Sequence, residues 1–279
     1  MGATPDPTLS ARQRREIDYH RERAAEYART SLDPVSLHIA RATRRRWWNA
    51  YWHAWTWLRA ADPAGRRALV VGCGFGDDAV RLAALGARVS AFDLSPESLE
   101  IARLRAAAAG YGDIEFRRMP CEALEYRDGS FEIVLAVDIL HHVDIPTALR
   151  ELARVAAPGA LLVCNEPYTH RSLERLRRTR PVERWAYPLV ARWMHGAAER
   201  SALYITEDER KLCEADVDEL RRAVPGLRVA YFNAVAGRIV PDRLRVVARA
   251  ERAGLRLIGP AARVLAGRFV ASGRFPARA

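Results

Sequence analysis

The sequence predicts an α/β fold: a mostly parallel sheet with helices on both faces. Three observations predict it. Between residues 67 and 165, short apolar runs of strand length alternate with stretches of helical character. The first run, Ala68–Val71, breaks into Gly72-x-Gly74-x-Gly76, and Asp77 and Asp78 follow at a helix start. The second run, Arg88–Phe92, ends in Asp93, about twenty residues after the loop begins.

Taken from the N-terminus, residues 1–9 hold two prolines and little apolar content, and mobility is expected there. Ser10 to Thr30 reads as a charged helix bearing Tyr19, His20 and Tyr27, and Asp33-Pro34 breaks it. A second helix is expected from Ser36 to Ala60, with Trp48, Tyr51, Trp52 and Trp55 on one face at i, i+3, i+4, i+7. That face has three readings: packing against the sheet, an aromatic lid over a flat or cationic substrate, or a membrane-interface face. Asp62-Pro63-Ala64-Gly65 then marks a boundary between an N-terminal helical cap, residues 1–60, and the sheet domain, residues 61–279.

Within that domain, strands are expected near 68–72, 88–92, 113–117, 132–137 and 160–165, with helices near 77–85, 96–109 and 146–157. Pro158-Gly159 reads as the helix stop before the fifth strand. After Pro167 the pattern changes to an Arg-, Trp- and Tyr-rich stretch, read as a helical insertion over about 168–215. Thr206-Glu-Asp-Glu209 resembles a capping box leading into helix up to Val224. Leu227–Phe232 reads as a sixth strand, Pro241–Ala253 as a helix, and Ala266–Gly273 as a last strand.

Composition narrows the function. The formal net charge is +11, which invites a nucleic-acid surface, but 44 of the 45 basic residues are arginines spread along the chain, and Lys211 is the lone lysine. Apart from small clusters at Arg44–Arg46 and Arg177–Arg180, this is a solvated basic surface, and it argues against a nucleic-acid partner. Cys73, Cys121, Cys164 and Cys213 lack C-x-x-C spacing, so no zinc or redox site is predicted. No eighteen-residue apolar stretch and no signal-peptide pattern stand out, so no membrane span is predicted and the chain is expected to be cytoplasmic. A homodimer is left open.

The glycine loop narrows the ligand. A dinucleotide site wants G-x-G-x-x-G facing a pyrophosphate, but Asp77 occupies the third position here. Two acids at a helix N-terminus would repel a pyrophosphate and tolerate a cation. In this loop, in Leu85-Gly-Ala-Arg-Val89, in Phe92-Asp-Leu-Ser-Pro-Glu-Ser-Leu99, in Asp128-Gly-Ser-Phe-Glu-Ile-Val134 and in Leu140-His-His-Val143, the chain resembles the class I S-adenosylmethionine (SAM)-dependent methyltransferases. The resemblance spans about residues 67–165. It implies a Rossmann-like, seven-stranded, mostly parallel sheet ending in an antiparallel strand, with the N-terminal helices and the insertion forming a substrate lid. It also implies SAM held by Gly72, Cys73, Gly74 and Gly76, by Asp93 on the ribose hydroxyls, and by Leu94 against adenine. Relatives often place an Asp before the Glu-Ala-Leu stretch, whereas this chain has Met119-Pro120-Cys121, so adenine would rely on the backbone of Cys121 or on Glu122.

Chemistry is expected at the carboxyl ends of the strands. Asp138, His141 and His142 follow the fourth strand there, and Asn165, Glu166 and Tyr168 follow the fifth. Asp138 is assigned to the cofactor side, and His141, His142, Glu166 and Tyr168 to catalysis. A histidine has the pKa of a general base at neutral pH, while adjacent histidines also serve as caps and packing groups. The expected activity is methyl transfer from SAM to an O, N or C atom of a small molecule such as a secondary metabolite. The alternatives are an RNA or DNA methyltransferase and a non-methylating, cyclase-like SAM-binding protein on the same fold.

Overall fold

A computed structural model describes residues 10–30, 33–41, 46–177, 179–180, 184, 210–234 and 245–277. Seven strands form one sheet: β1 (Arg67–Val71), β2 (Arg88–Asp93), β3 (Glu115–Arg118), β4 (Phe131–Val137), β5 (Ala156–Pro167), β6 (Arg228–Phe232) and β7 (Arg268–Arg274). Their order is β3-β2-β1-β4-β5-β7-β6. The first five pair in parallel, and β7 lies antiparallel between β5 and β6.

The apolar runs are continuous because both faces of the sheet are covered, and successive side chains alternate between them. Val70, Leu135 and Val163 point to one face, beneath α3 (Ala50–Ala60), α4 (Asp77–Ala83) and α5 (Pro96–Ala108). Val71, Val134 and Cys164 point to the other, beneath α6 (Ile145–Val155) and α8 (Glu214–Ala223). Capping residues set the helix starts: Ser95 Oγ accepts from Ser98 N at 3.0 Å, and Asp144 accepts from Thr147 N at 3.1 Å. The remaining helices are α1 (Ala11–Thr30), α2 (His38–Arg41), α7 (Arg171–Arg177), α9 (Arg245–Leu257) and α10 (Ala262–Leu265). α1 packs against α5, near the open ends of β1 and β2.

Four readings of the sequence meet the structure here. The second helix does not run unbroken from Ser36 to Ala60: α2 ends at Arg41, and α3 begins only after Asn49, whose side chain caps Trp52 N at 3.1 Å. The aromatic face is core. Trp55 is 0% exposed and, with Trp52 and Leu58, packs α3 onto β5 and β7. The outer tryptophans stack under arginines of α9: Arg249 lies 4.5 Å from the Trp48 ring centre and Arg256 lies 4.8 Å from that of Trp47. Third, β5 starts before Pro158-Gly159 rather than after it. Gly159 takes φ +74° there, and the pairing shifts between Phe131↔Ala156 and Ile133↔Leu161. The turn signal marks a bulge inside the strand. Fourth, the helix before β6 starts at Glu214, capped reciprocally by Cys213 and Asp216. The Thr206–Glu209 stretch, Arg44 and Arg45, residues 1–9, the start of the helix expected at Pro241 and most of the 168–215 insertion lie outside the described residues.

The α3–β6–α9 junction carries a pH-dependent feature. His53 sits 4.6 Å from Trp57 and 5.2 Å from Phe232, ring centre to ring centre. Burial first, and then Arg252, Arg256 and Arg228, push its pKa down to about 4. The unfolded chain therefore takes up this proton before the folded one does. Stability from this group is complete above about pH 6.5 and drains away as pH falls toward 4. Because the ring is partly exposed, we expect a loss of about 1–2 kcal/mol across that window. Urea unfolding at pH 7 and pH 4.5 checks this, and His53→Gln should lose that much less between the two.

Candidate functional site

The first strand ends where three glycines take positive φ: Gly72 (+60°), Gly74 (+48°) and Gly76 (+83°). Only two of the three positions are crowded. A Cβ on Gly72 would lie 2.5 Å from the Ile139 side chain, and one on Gly76 would lie 2.9 Å from Ala102 on α5. Gly74 has nothing within 4 Å on that side. Its bare backbone faces a cleft of about 430 Å³ at the carboxyl ends of β1, β2 and β4. Gly72, Cys73, Gly74, Asp93 and Leu94 line one part of the cleft, and Cys121, Glu122, Asp138, His141 and His142 line another. Gly76 is set back from it as the N-cap of α4.

Asp93 ties the loop to the second strand. Its Oδ2 accepts from Gly74 N at 2.8 Å and its Oδ1 from Ser95 N at 3.0 Å. Two carboxylate oxygens offer about four lone-pair sites, so the group can still accept from a diol. Glu122 is more committed: Oε1 accepts from Asp144 N at 3.0 Å and Oε2 from Gln13 Nε2 at 3.2 Å. Of the two, the backbone beside Cys121 is the less committed. Burial raises the Cys73 and Cys121 thiols, which stay neutral small hydrophobes.

The two acids at the start of α4 are not bare negative charge. Asp77 pairs with Arg105 at 2.6 Å and with Arg81 at 3.1 Å. Asp78 accepts from Tyr51 and pairs with Arg81. Burial raises the Asp78 pKa, against the pull of Tyr51 and Arg81. Arg105 also donates to Phe75 O at 2.9 Å, so these groups brace the loop from below. The electrostatic argument against a pyrophosphate is thus weaker than the sequence suggests, and the crowding around Gly72 and Gly76 carries the loop's shape.

Beyond β4 the chain turns at Asp138, a non-glycine residue at φ +53°. Its N donates to Asn165 O at 3.0 Å, and its carboxylate accepts from Arg268 Nη2 at 2.6 Å. Arg268 also donates to Asn165 Oδ1 at 3.0 Å. Glu166 is fully buried. Its Oε1 accepts from Ile139 N and Leu140 N, both at 2.9 Å, and its Oε2 meets His141 Nδ1 at 2.8 Å. Glu166 thus holds the turn that presents the histidines and does not itself line the cleft. Tyr168 is also fully buried, packed against Tyr231 and Phe269, and its side chain lies apart from the cleft.

Of the N-terminal helices, it is α1 whose side chains reach the cleft. Gln13, Glu16, Tyr19 and His20 of α1 line the cleft, and no tryptophan does among the described residues. Arg12 Nη2 donates to His141 O at 2.8 Å, and Glu16 meets His142 Nδ1 at 3.2 Å and His20 Nε2 at 2.9 Å. The Glu16–His20 spacing was legible only as a pair on one helix face. Among the described residues no group of three His, Cys, Asp or Glu could hold a metal ion, and no helix is long and apolar enough to cross a membrane.

Residues 69–164, the strands and loops that build this cleft, match the methyltransferase domain family. Over that segment the chain is similar to methyltransferase domains. A ubiquinone biosynthesis O-methyltransferase of Methylocella silvestris is 40% identical over 171 residues, covering 61% of this chain and 60% of that one. One from Paracidovorax citrulli is 34% identical over 142 residues, covering 46% and 60%. The chain thus spans little more than half the length of the curated relatives it matches. In fold, the chain is similar to a SAM-dependent methyltransferase of Methanosarcina mazei (TM-score 0.53, 19% identity, covering 79% of this chain and 97% of that one). It is also similar to a Haemonchus contortus phosphoethanolamine N-methyltransferase solved with S-adenosylhomocysteine (TM-score 0.52, 13% identity, 81% and 52%). The residues present suit a SAM-sized ligand: an open glycine backbone, a carboxylate with lone pairs to spare and a cleft of adequate volume.

Proposed function

We propose that this chain is a SAM-dependent methyltransferase that transfers a methyl group to a hydroxyl oxygen of a small molecule. The observation that carries the reading is that Asp93, the open Gly74 backbone and the His141–His142 pair line one cleft. Bound there, SAM would supply an activated methyl group. Asp93 would hold its ribose hydroxyls, Leu94 would pack on adenine, and the Cys121 backbone would meet the adenine edge. The chain's remaining task is to align the acceptor, exclude water and receive a proton.

Glu166 acts through position: by capping Ile139 N and Leu140 N it fixes where the two imidazoles stand. A hydroxyl is favoured over an amine or carbon acceptor because the relatives are named O-methyltransferases and because two imidazoles face the cleft. The same names weigh against a nucleic-acid substrate and a non-methylating role, and several arginines are engaged on the chain's own aromatic rings. Helix α1, the first of the N-terminal helices, serves as substrate cover.

Calorimetry with S-adenosylhomocysteine tests the cofactor, and incubation with SAM and a panel of catechol acids, read by mass spectrometry, tests the reaction. We expect binding, and a product heavier by one CH₂ unit. No heat with S-adenosylhomocysteine would overturn the reading.

A further inference from the structure

Helix α1 brings a carboxylate to the cleft that the family resemblance does not assign. We propose that Glu16 is a positioning residue: it holds the proton of His142 on Nδ1, so that Nε2 receives the proton of an acidic, phenol- or enol-type hydroxyl acceptor, and only while α1 is docked. This rests on the methyl-transfer reading above and specifies its acceptor.

The geometry is a second histidine–carboxylate pair beside the first. In the first, His141 is 5% exposed and leans on Glu166, a residue of β5. Both partners of that pair belong to the sheet domain. In the second, His142 Nδ1 lies 3.2 Å from Glu16 Oε2, and the partner comes from a separate helix. The His142 side chain is the more open of the two, at 16% exposed, and its Nε2 meets no polar partner among the described residues.

Burial penalises a charged Glu16, yet the hydrogen bonds to His142 and His20 outweigh it and hold the carboxyl well below the usual carboxylate range. An ionised carboxylate only accepts, so His142 must donate, and the donating nitrogen is Nδ1. The lone pair then sits on Nε2, the ring nitrogen not bound to Glu16, on a residue that lines the cleft. The groups facing His142 are Glu16 and His20 from α1 and the His141 ring, 4.0 Å away centre to centre. Glu122 and Asp138 are the other acids lining the cleft.

As the acceptor's O–H bond breaks, the proton passes to Nε2, its oxygen gains the methyl, and the methyl–sulfur bond breaks to leave S-adenosylhomocysteine. An imidazole is a suitable base for a phenol, whose pKa is near 10, and a poor one for an aliphatic alcohol. α1 is pinned to the rest by Arg12 to His141 O, Arg21 to Glu97 at 2.8 Å and Tyr27 stacked on Phe75. Docking of α1 and completion of the base are therefore one event, and proton removal is confined to the covered cleft.

The test compares the full chain with Glu16→Gln. Imidazole ¹⁵N shifts of His142 report which nitrogen carries the proton. We expect the Nδ1–H form in the wild type and a shift toward Nε2–H in Glu16→Gln, because the glutamine can turn its own N–H toward the ring. S-adenosylhomocysteine affinity should stay within about threefold, while turnover of a catechol acid falls at least tenfold. Glu16→Asp, which keeps the charge, should restore part of the Nδ1–H population and of the turnover, and circular dichroism controls for folding. The same tautomer in wild type and Glu16→Gln would overturn the proposal, as would a tenfold loss of S-adenosylhomocysteine affinity, which would assign Glu16 to the cofactor. Absence of S-adenosylhomocysteine binding in the wild type would sink the underlying methyl-transfer reading instead.

Discussion

Asp93→Ala should abolish measurable binding of SAM and S-adenosylhomocysteine. The carboxylate has two tasks. Toward the proposed ligand, it would offer charged acceptors for two ribose hydroxyls, and hydrogen bonds to charged groups contribute about 1.5–3 kcal/mol each. Toward the protein, it accepts from Gly74 N and Ser95 N, joining the glycine loop to the end of β2. Alanine removes both, so the loop loses its anchor as the sugar loses its grip. The combined loss is on the order of 3–5 kcal/mol, a weakening of several hundredfold or more. Calorimetry on wild type and variant decides it. Asp93→Asn is the informative companion: it retains one acceptor and should bind with intermediate affinity. Unchanged affinity in Asp93→Ala would remove the ligand from this end of the sheet. His142→Ala, which touches neither the loop nor its anchor, should bind S-adenosylhomocysteine normally.

The parts of the site that could be read from the chain are those where local sequence dictates backbone. Gly72 and Gly76 must be glycines, because each sits at positive φ against a neighbour that leaves no room for a Cβ. Asp93 closes an apolar strand, and the adjacency of His141 and His142 is itself a sequence fact. What could not be read is what depends on contacts between distant segments. Glu166 pairs with a histidine 25 positions earlier, and Arg12 reaches a carbonyl 129 positions away. Nothing in the spacing of α1 says that it crosses the cleft. The aromatic helix left three readings open for the same reason: periodicity shows that Trp48, Tyr51, Trp52 and Trp55 share a face, but not whether a sheet or a ligand lies beneath it. Pro158-Gly159 was read as a helix stop because bulges and stops share the same residues. Only the pairing register, shifted between Phe131 and Ile133, tells them apart.

Replacing Glu166 should produce the largest stability effect at the site, and its two obvious substitutions should differ in kind. The side chain is wholly buried and serves three donors: Ile139 N, Leu140 N and His141 Nδ1. Glu166→Ala leaves all three without an acceptor in a place water does not reach. Orphaned buried donors cost about 1–3 kcal/mol each, partly relieved by relaxation of the turn, so a loss of roughly 3–5 kcal/mol is expected. Urea unfolding should show a lower midpoint with little change in slope. Glu166→Gln keeps one carbonyl oxygen for Ile139 N and Leu140 N but turns an amide N–H toward His141. The ring must then carry its proton on Nε2 and accept at Nδ1. Stability should fall by only about 1–2 kcal/mol, while the His141 tautomer reverses, visible in its imidazole ¹⁵N shifts. A Glu166→Gln variant as unstable as Glu166→Ala would mean that the bond to His141, and not the cap on the turn, dominates the energetics of this residue.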